Sequence, residues 1–206
     1  MIYPGFGKRG FDLAGSVLGL LGFLPLMGLV AVLVKFSSPG PVFFRQERMG
    51  RGGRGFRLFK FRTMSLGNGS PPGFTPGDAS RVTRIGKVLR ETKMDELPQF
   101  LNVLAGDLSL VGPRPEVSDY RSFYRGEFGK ILEVRPGITD SASIKYRHEE
   151  KILALSADPE RTYRQSILPE KLRLNLEYAG NISFGKDLKI LGATFLCLLK
   201  GGKGQA

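Results

Sequence analysis

Residues 13–34 read LAGSVLGLLGFLPLMGLVAVLV, 22 positions without a charge and with Pro25 close to the middle. An uncharged apolar run of about 20 residues is what a helix needs to cross a hydrocarbon core of roughly 30 Å. The flanks argue for a different path. Lys8 and Arg9 precede the run, and Lys35, Arg45, Arg48, Arg51, Arg54 and Arg57 follow it, so a crossing helix would leave cations on both sides of a membrane. Such flanks favour the cytoplasmic face. Pro25 has no N–H for the Leu21 carbonyl, and its ring crowds that turn. Each arm then reaches some 16 to 18 Å at about 1.5 Å per residue, roughly half a bilayer. Charge, length and proline together predict a re-entrant helix–break–helix hairpin over residues 1–36, entering and leaving by one face. The carbonyl freed at the break needs a partner from a side chain or from packing. A plain transmembrane anchor is the alternative that length allows. A signal peptide fits less well, because the run exceeds a typical signal core and no small-residue cleavage pattern follows it.

The remaining residues, 37–206, suit one domain with a modest core. Lys and Arg number 31 against 19 acids, a net charge of +12, which points to an anionic partner: lipid head groups, nucleic acid or a phosphorylated substrate. The single Cys197 excludes an internal disulfide, and with His148 as the lone histidine a Zn site is not expected.

After the apolar run, two strand-like pieces, Val42 to Gln46 and Phe56 to Thr63, flank the glycine-dense MGRGGRG and predict a β-hairpin. Period two puts Phe59 and Phe61 on one face and Lys60 and Arg62 on the other. The same glycine-arginine turn resembles an RNA-binding RGG segment, a competing reading for a single copy. Leu66 to Ser80 has the composition of a mobile loop bordering a site. Val82, Ile85, Val88 and Leu89 share a helical face among basic residues, which predicts an amphipathic helix, suited to an anionic membrane surface or equally to packing on the core as an ordinary surface helix. Leu168 to Tyr178 is a second amphipathic candidate. The last, DLKILGATFLCLLK, is too short to span and predicts a core or interfacial helix.

The chemistry concentrates in TKMDELPQFLNVLAGDLSLVGPRPE, residues 92–116. Leu97, Leu101 and Leu104 mark a helix stopping near Gly106, and Pro98 must occupy a position that needs no backbone N–H. With Pro98 third in the helix, Asp95 becomes the N-cap and Glu96 the first helical residue, beside free N–H groups that favour an anion. Asp95 is then expected to stay ionised. In VGPRP, Arg114 is fixed between two prolines and loses little entropy when it grips a phosphate. Arg135 in VRPGIT is constrained in the same way, and KYRHEE supplies Lys145 and Arg147. An ionised acidic pair and fixed arginines on a membrane-dipped protein suggest phosphoryl transfer between a nucleotide and a lipid phosphate, with a divalent ion such as Mg²⁺.

In the order KRGFDLAGSVLGLLGFLPL, KFRTM, MDELPQFLNVLAGDLSLVGPRP, VRPGIT and NISFGKDLKIL, the chain resembles the small monotopic phosphoglycosyl transferases, the bacterial sugar transferases. The resemblance implies an α+β protein: a re-entrant membrane helix broken at Pro25, a small β-hairpin, amphipathic interfacial helices and a compact, mainly helical catalytic domain over 37–206. It implies localisation at the cytoplasmic face of the bacterial inner membrane. It further implies that Asp95 is nucleophile and Mg²⁺ ligand, attacking a UDP-sugar to release UMP, with undecaprenyl phosphate then accepting the sugar 1-phosphate. Glu96 matches the second acid of the pair, and Lys60, Arg62, Arg114, Arg135 and Arg147 match basic positions expected near phosphate. UDP-sugar, undecaprenyl phosphate and membrane lipids are the implied partners, with no nucleic acid. Some relatives continue RPGIT with a glycine, a tryptophan and AQVNGR, whereas this chain reads RPGITDSASIKYRHEE, so the sugar does not carry over. The chain also looks like a minimal catalytic form, without the extra membrane bundle of larger relatives. The rival class is a non-enzymatic basic protein that binds RNA or anionic lipid, which leaves the acidic pair and the proline-fixed arginines without a purpose.

Overall fold

A computed structural model describes residues 3–66 and 80–200. The loop expected over Leu66 to Ser80 thus falls almost wholly outside the described residues.

The apolar run forms helix α1, Lys8–Ser37, which continues through Pro25 as one helix. The expected break is therefore not seen in the secondary structure. The proline removes one hydrogen bond from the ladder, and the turns before and after it remain helical. Both arms of α1 are held by the rest of the chain. Near its start, Lys8 pairs with Asp187 at 2.6 Å, and the Asp12 carboxylate accepts from Ser109 Oγ at 2.9 Å and Leu110 N at 3.0 Å. Near its end, Met27, Val30 and Val34 are buried in one core with Phe61 and Leu89. Between these arms, Leu21 to Pro25 are all exposed.

Strands β1, Phe43–Met49, and β2, Gly55–Phe61, form the expected antiparallel hairpin, with Phe44 opposite Lys60 and Arg48 opposite Phe56. The glycine-arginine segment closes it as a tight turn in which Gly52 and Gly53 have φ of +70° and +72°, a conformation that suits glycine. Arg51 Nε donates to the Glu133 carbonyl at 2.8 Å, so this arginine braces the turn. Helix α2, Arg84–Thr92, is capped by Thr83, whose hydroxyl accepts from Gly86 N at 2.9 Å. Its Leu89 is buried with Ile85 packed against the same core, but Val88, expected on that apolar face, is exposed.

Helix α3, Gln99–Ala105, docks on the hairpin through Asn102. The Asn102 side chain accepts from Phe59 N at 2.9 Å and donates to the Arg57 carbonyl at 2.8 Å. Two short strands follow, β3, Ser109–Val111, and β4, Gly137–Thr139, paired in parallel with Ser109 opposite Gly137 and Val111 opposite Thr139. The chain ends in helices α4, Ser141–Lys145, α5, Glu149–Ala154, α6, Pro159–Thr162, α7, Leu168–Ala179, and α8, Phe184–Leu199. One core joins Leu58, Val103, Leu108, Val111, Tyr178 and Ile190. Another gathers Met49, Tyr120, Ile131, Tyr163, Leu168 and Leu172. The fold is mixed α+β, with one apolar N-terminal helix and a compact helical body.

Candidate active site

Asp95 and Glu96 sit in a 3-10 turn, Met94–Glu96, immediately before α3. The expected geometry needs correcting here. Asp95 is not an N-cap: Pro98 precedes the first residue of α3 without any side-chain cap, and Lys93, with φ of +59°, opens the turn. The N–H groups of Glu96 and Leu97 already bond to the Lys93 and Met94 carbonyls, at 3.2 and 3.3 Å. Cations, rather than free helix donors, set the electrostatics of the pair.

Glu96 is buried and accepts from Lys60 Nζ at 2.9 Å and from both terminal nitrogens of Arg114. Burial alone would push its carboxyl up, but Arg114 and Lys60 outweigh that and hold it well below the usual carboxylate range. It is therefore an anion at neutral pH. Asp95 behaves differently: burial, with Glu96 beside it, pushes its carboxyl up against the pull of Lys60, Lys93 and Arg114. Its Oδ1 is buried and has no hydrogen-bond partner. Asp95, expected to stay ionised, is thus a buried carboxyl that its surroundings push upward, with one oxygen unsatisfied.

Arg114 reaches Glu96 from the loop that follows β3. Its backbone N–H donates to Asp140 Oδ2 at 2.9 Å, and Gly137 N donates to the Pro113 carbonyl at 2.9 Å. Gly112 and Gly137 let the two chains approach: a Cβ on Gly137 would lie 2.1 Å from Gly112 N. The β3–β4 pair and Asp140 thus fix the turn, and the prolines on either side of Arg114 stiffen it further.

The structure brings together four of the candidate residues, Lys60, Asp95, Glu96 and Arg114. The others lie elsewhere. Arg62 is buried with its guanidinium donating to the carbonyls of Ser38 at 2.6 Å, Pro39 at 2.8 Å and Val34 at 3.4 Å, where it closes the end of α1. Arg135 is half-buried, and the charges it feels are Arg9, Asp12, Arg51 and Asp107, not the acidic pair. Arg147 donates to Cys197 Sγ at 3.0 Å. Sequence reasoning passed over Asp140, Asn102 and the buried Glu116. Glu116 accepts from Tyr163 OH at 2.7 Å and Lys171 Nζ at 3.4 Å, two residues beyond Arg114. Glu116 and Asn102 take their main partners far along the chain, so no local pattern marks them, whereas Asp140 caps α4 by accepting from Ser143 N, a local signal that leaves its bond to Arg114 N unmarked.

Two buried acids and the cations Lys60, Lys93 and Arg114 make a centre with surplus positive charge, suited to a bound phosphate and to nucleophilic attack by a carboxylate. Among the described residues no three His, Cys, Asp or Glu gather to hold a metal.

The chain is similar in sequence to several known proteins. The chain is 40% identical over 201 residues to the UDP-N-acetylgalactosamine-undecaprenyl-phosphate N-acetylgalactosaminephosphotransferase of Aeromonas hydrophila, covering 95% of this chain and 44% of that protein. It is 38% identical over 190 residues to the UDP-glucose:undecaprenyl-phosphate glucose-1-phosphate transferase of Xanthomonas campestris pv. campestris, covering 89% of this chain and 37% of that one. It thus spans less than half the length of these two relatives. The exopolysaccharide production protein PSS of Rhizobium leguminosarum bv. phaseoli is 36% identical over 205 residues, covering 96% of this chain and 97% of its own. Residues 3–201 match a single family description, and on that extent the chain belongs to the bacterial sugar transferases.

Proposed function

We propose that the protein transfers a sugar 1-phosphate from a UDP-sugar to undecaprenyl phosphate through a covalent phosphosugar on Asp95, starting the assembly of a membrane-bound glycan. The observation that carries this is one turn bearing two unlike carboxylates: Glu96, satisfied by Lys60 and Arg114, and Asp95, with a buried oxygen lacking any partner. In the first step an Asp95 oxygen attacks the β-phosphorus. An O–P bond forms, the bond to the oxygen bridging the two phosphates breaks, and UMP leaves with the electron pair. In the second step a phosphate oxygen of undecaprenyl phosphate attacks the same phosphorus, and Asp95 departs as a carboxylate. Neither step requires a proton, in keeping with a Glu96 too acidic to supply one. Glu96 instead keeps Lys60 and Arg114 aimed at the phosphates.

A Mg²⁺ ion fits this arrangement, because it commonly takes one or two carboxylates plus substrate phosphates and needs no all-protein cage. Asp95, whose carboxylate accepts no hydrogen bond at its buried Oδ1, would hold it through the oxygen that does not attack phosphorus. When bound, the ion neutralises charge on the diphosphate.

For the membrane position, we propose that α1 is seated in the bilayer from the cytoplasmic face of the bacterial inner membrane without crossing it. Support comes from its two anchored arms and from the exposed apolar stretch Leu21 to Pro25 between them.

The decisive experiment needs no acceptor lipid. With Mg²⁺ present, labelled UMP should exchange into UDP-sugar, and steady-state kinetics with undecaprenyl phosphate should be ping-pong. Asp95→Asn should abolish exchange in a folded protein. Exchange that depends on undecaprenyl phosphate would mean direct transfer instead.

A further inference from the structure

Leu97 and Pro98 keep helical dihedrals between the acidic turn and α3, with φ and ψ of −52° and −37° and of −61° and −15°. Gln99 therefore lies four residues beyond Asp95 and three beyond Glu96, and Asn102 three beyond Gln99, on one side of a continuous helical path. All four are buried. Glu96 is held by Lys60 and Arg114, and Asn102 by the backbone of β2. The other two are incomplete. Asp95 Oδ1 and Gln99 Nε2 have no hydrogen-bond partner, and so are not bonded to each other. Gln99 is only 1% exposed. Leaving a buried amide donor unpaired is unfavourable, which calls for a partner to complete it.

The two unpaired atoms differ in kind, one an electron-rich oxygen and the other an N–H donor. A metal ion suits the first and is repelled by the second. A phosphoryl group suits both, offering an electrophilic phosphorus to the carboxylate and an anionic oxygen to the amide. We propose that Gln99 is a catalytic residue whose side-chain N–H donates to a non-bridging oxygen of the phosphoryl group that Asp95 receives. This role rests on the transfer to Asp95 proposed above. It deepens that reading: as charge builds on the phosphoryl oxygens, a fixed donor in a dry site stabilises the transition state more than the bound substrate.

The test is lipid-free exchange of labelled UMP into UDP-glucose and UDP-N-acetylgalactosamine by the full chain in lipid nanodiscs, with melting temperature measured alongside. Gln99→Met keeps the length and removes the donor. It should lower kcat for exchange by roughly 100-fold, as removal of a transition-state donor does, with KM changed less than about threefold. Gln99→Asn, which keeps an amide on a shorter arm, should recover part of the rate. If Gln99 merely holds a buried water, the Met variant will lose stability but keep kcat within about threefold of the wild type, and the proposal falls. Should Gln99→Met not fold, Gln99→Glu keeps the shape without the amide donor, and wild-type turnover in that variant overturns the role equally. Absence of exchange in the wild type, with turnover only when undecaprenyl phosphate is added, instead removes the covalent step on Asp95 and this role with it.

Discussion

Glu116 closes the GPRPE segment as a buried anion among Arg48, Tyr163 and Lys171. Burial pushes its carboxyl up, yet Lys171, Arg48 and the Tyr163 hydroxyl together bring it below its ordinary value of 4.5. Lys171, also paired with Glu149 at 2.8 Å, is shifted upward despite its burial, because the two carboxylates outweigh that burial. A depressed carboxyl stabilises the fold fully above the unfolded value, here about pH 4.5, and the contribution drains away as pH falls through the lower folded value. Glu116→Gln can still accept from Tyr163 but no longer balances two buried cations. Breaking one side of such a network typically costs about 3–5 kcal/mol. The variant should therefore be less stable by that order at pH 7, with the gap to wild type narrowing below about pH 4. Denaturant unfolding in micelles across this range measures it, and a gap independent of pH would mean the charge of Glu116 does not matter. Because Glu116 lies two residues from Arg114, the same network also steadies the loop carrying that arginine.

At the level of elements, the site is made where β2 meets the turn before α3, and Asn102 is the bolt between them. Asn102→Ala removes the acceptor for Phe59 N and the donor for the Arg57 carbonyl. A loss of about 2 kcal/mol is expected, which lowers the melting temperature by roughly 4–8 °C in a chain of this size. Exchange activity should drop as well, since Lys60 neighbours Phe59 on the strand that Asn102 positions. Unchanged activity alongside the lower melting temperature would separate the docking from the chemistry. Much of this junction was legible in the sequence. Alternation marked β2, found at Gly55–Phe61, and Gly106, with φ of +93°, ends α3 where the glycine suggested. The turn holding Asp95 was misread because a proline just ahead of an α-helix and a proline inside its first turn leave the same local signature. Strands β3 and β4 were invisible for another reason: at three residues each, they are too short to show a period. Arg62 could not be told from Lys60 by alternation alone, because its partners are carbonyls at the end of α1.

For the whole molecule, the question is how a long apolar helix and a basic body share a membrane. At about 1.5 Å per residue, the 30 residues of α1 extend some 45 Å, enough to cross a bilayer if straight and upright. Yet one end is paired to Asp187 in α8 and the other is packed on Phe61 and Leu89. An upright crossing would carry those attachments, with their buried charges, through the hydrocarbon, where a charge costs several kcal/mol. The outward face of α1 is apolar, with Leu18, Leu21, Leu24, Leu29, Val32 and Phe36 exposed, and Leu196 and Leu199 of α8 add to the apolar surface. A helix seated from one side satisfies both constraints. With Cys197 replaced by serine, single cysteines at Gly10, early in α1, and at Lys151 in α5 should both resist an impermeant maleimide added outside intact cells. Both should react once the cells are permeabilised. Labelling at residue 10 alone in intact cells would establish a crossing helix. Labelling at both would put the catalytic body outside, away from the cytoplasmic pool of UDP-sugar that the proposed reaction consumes.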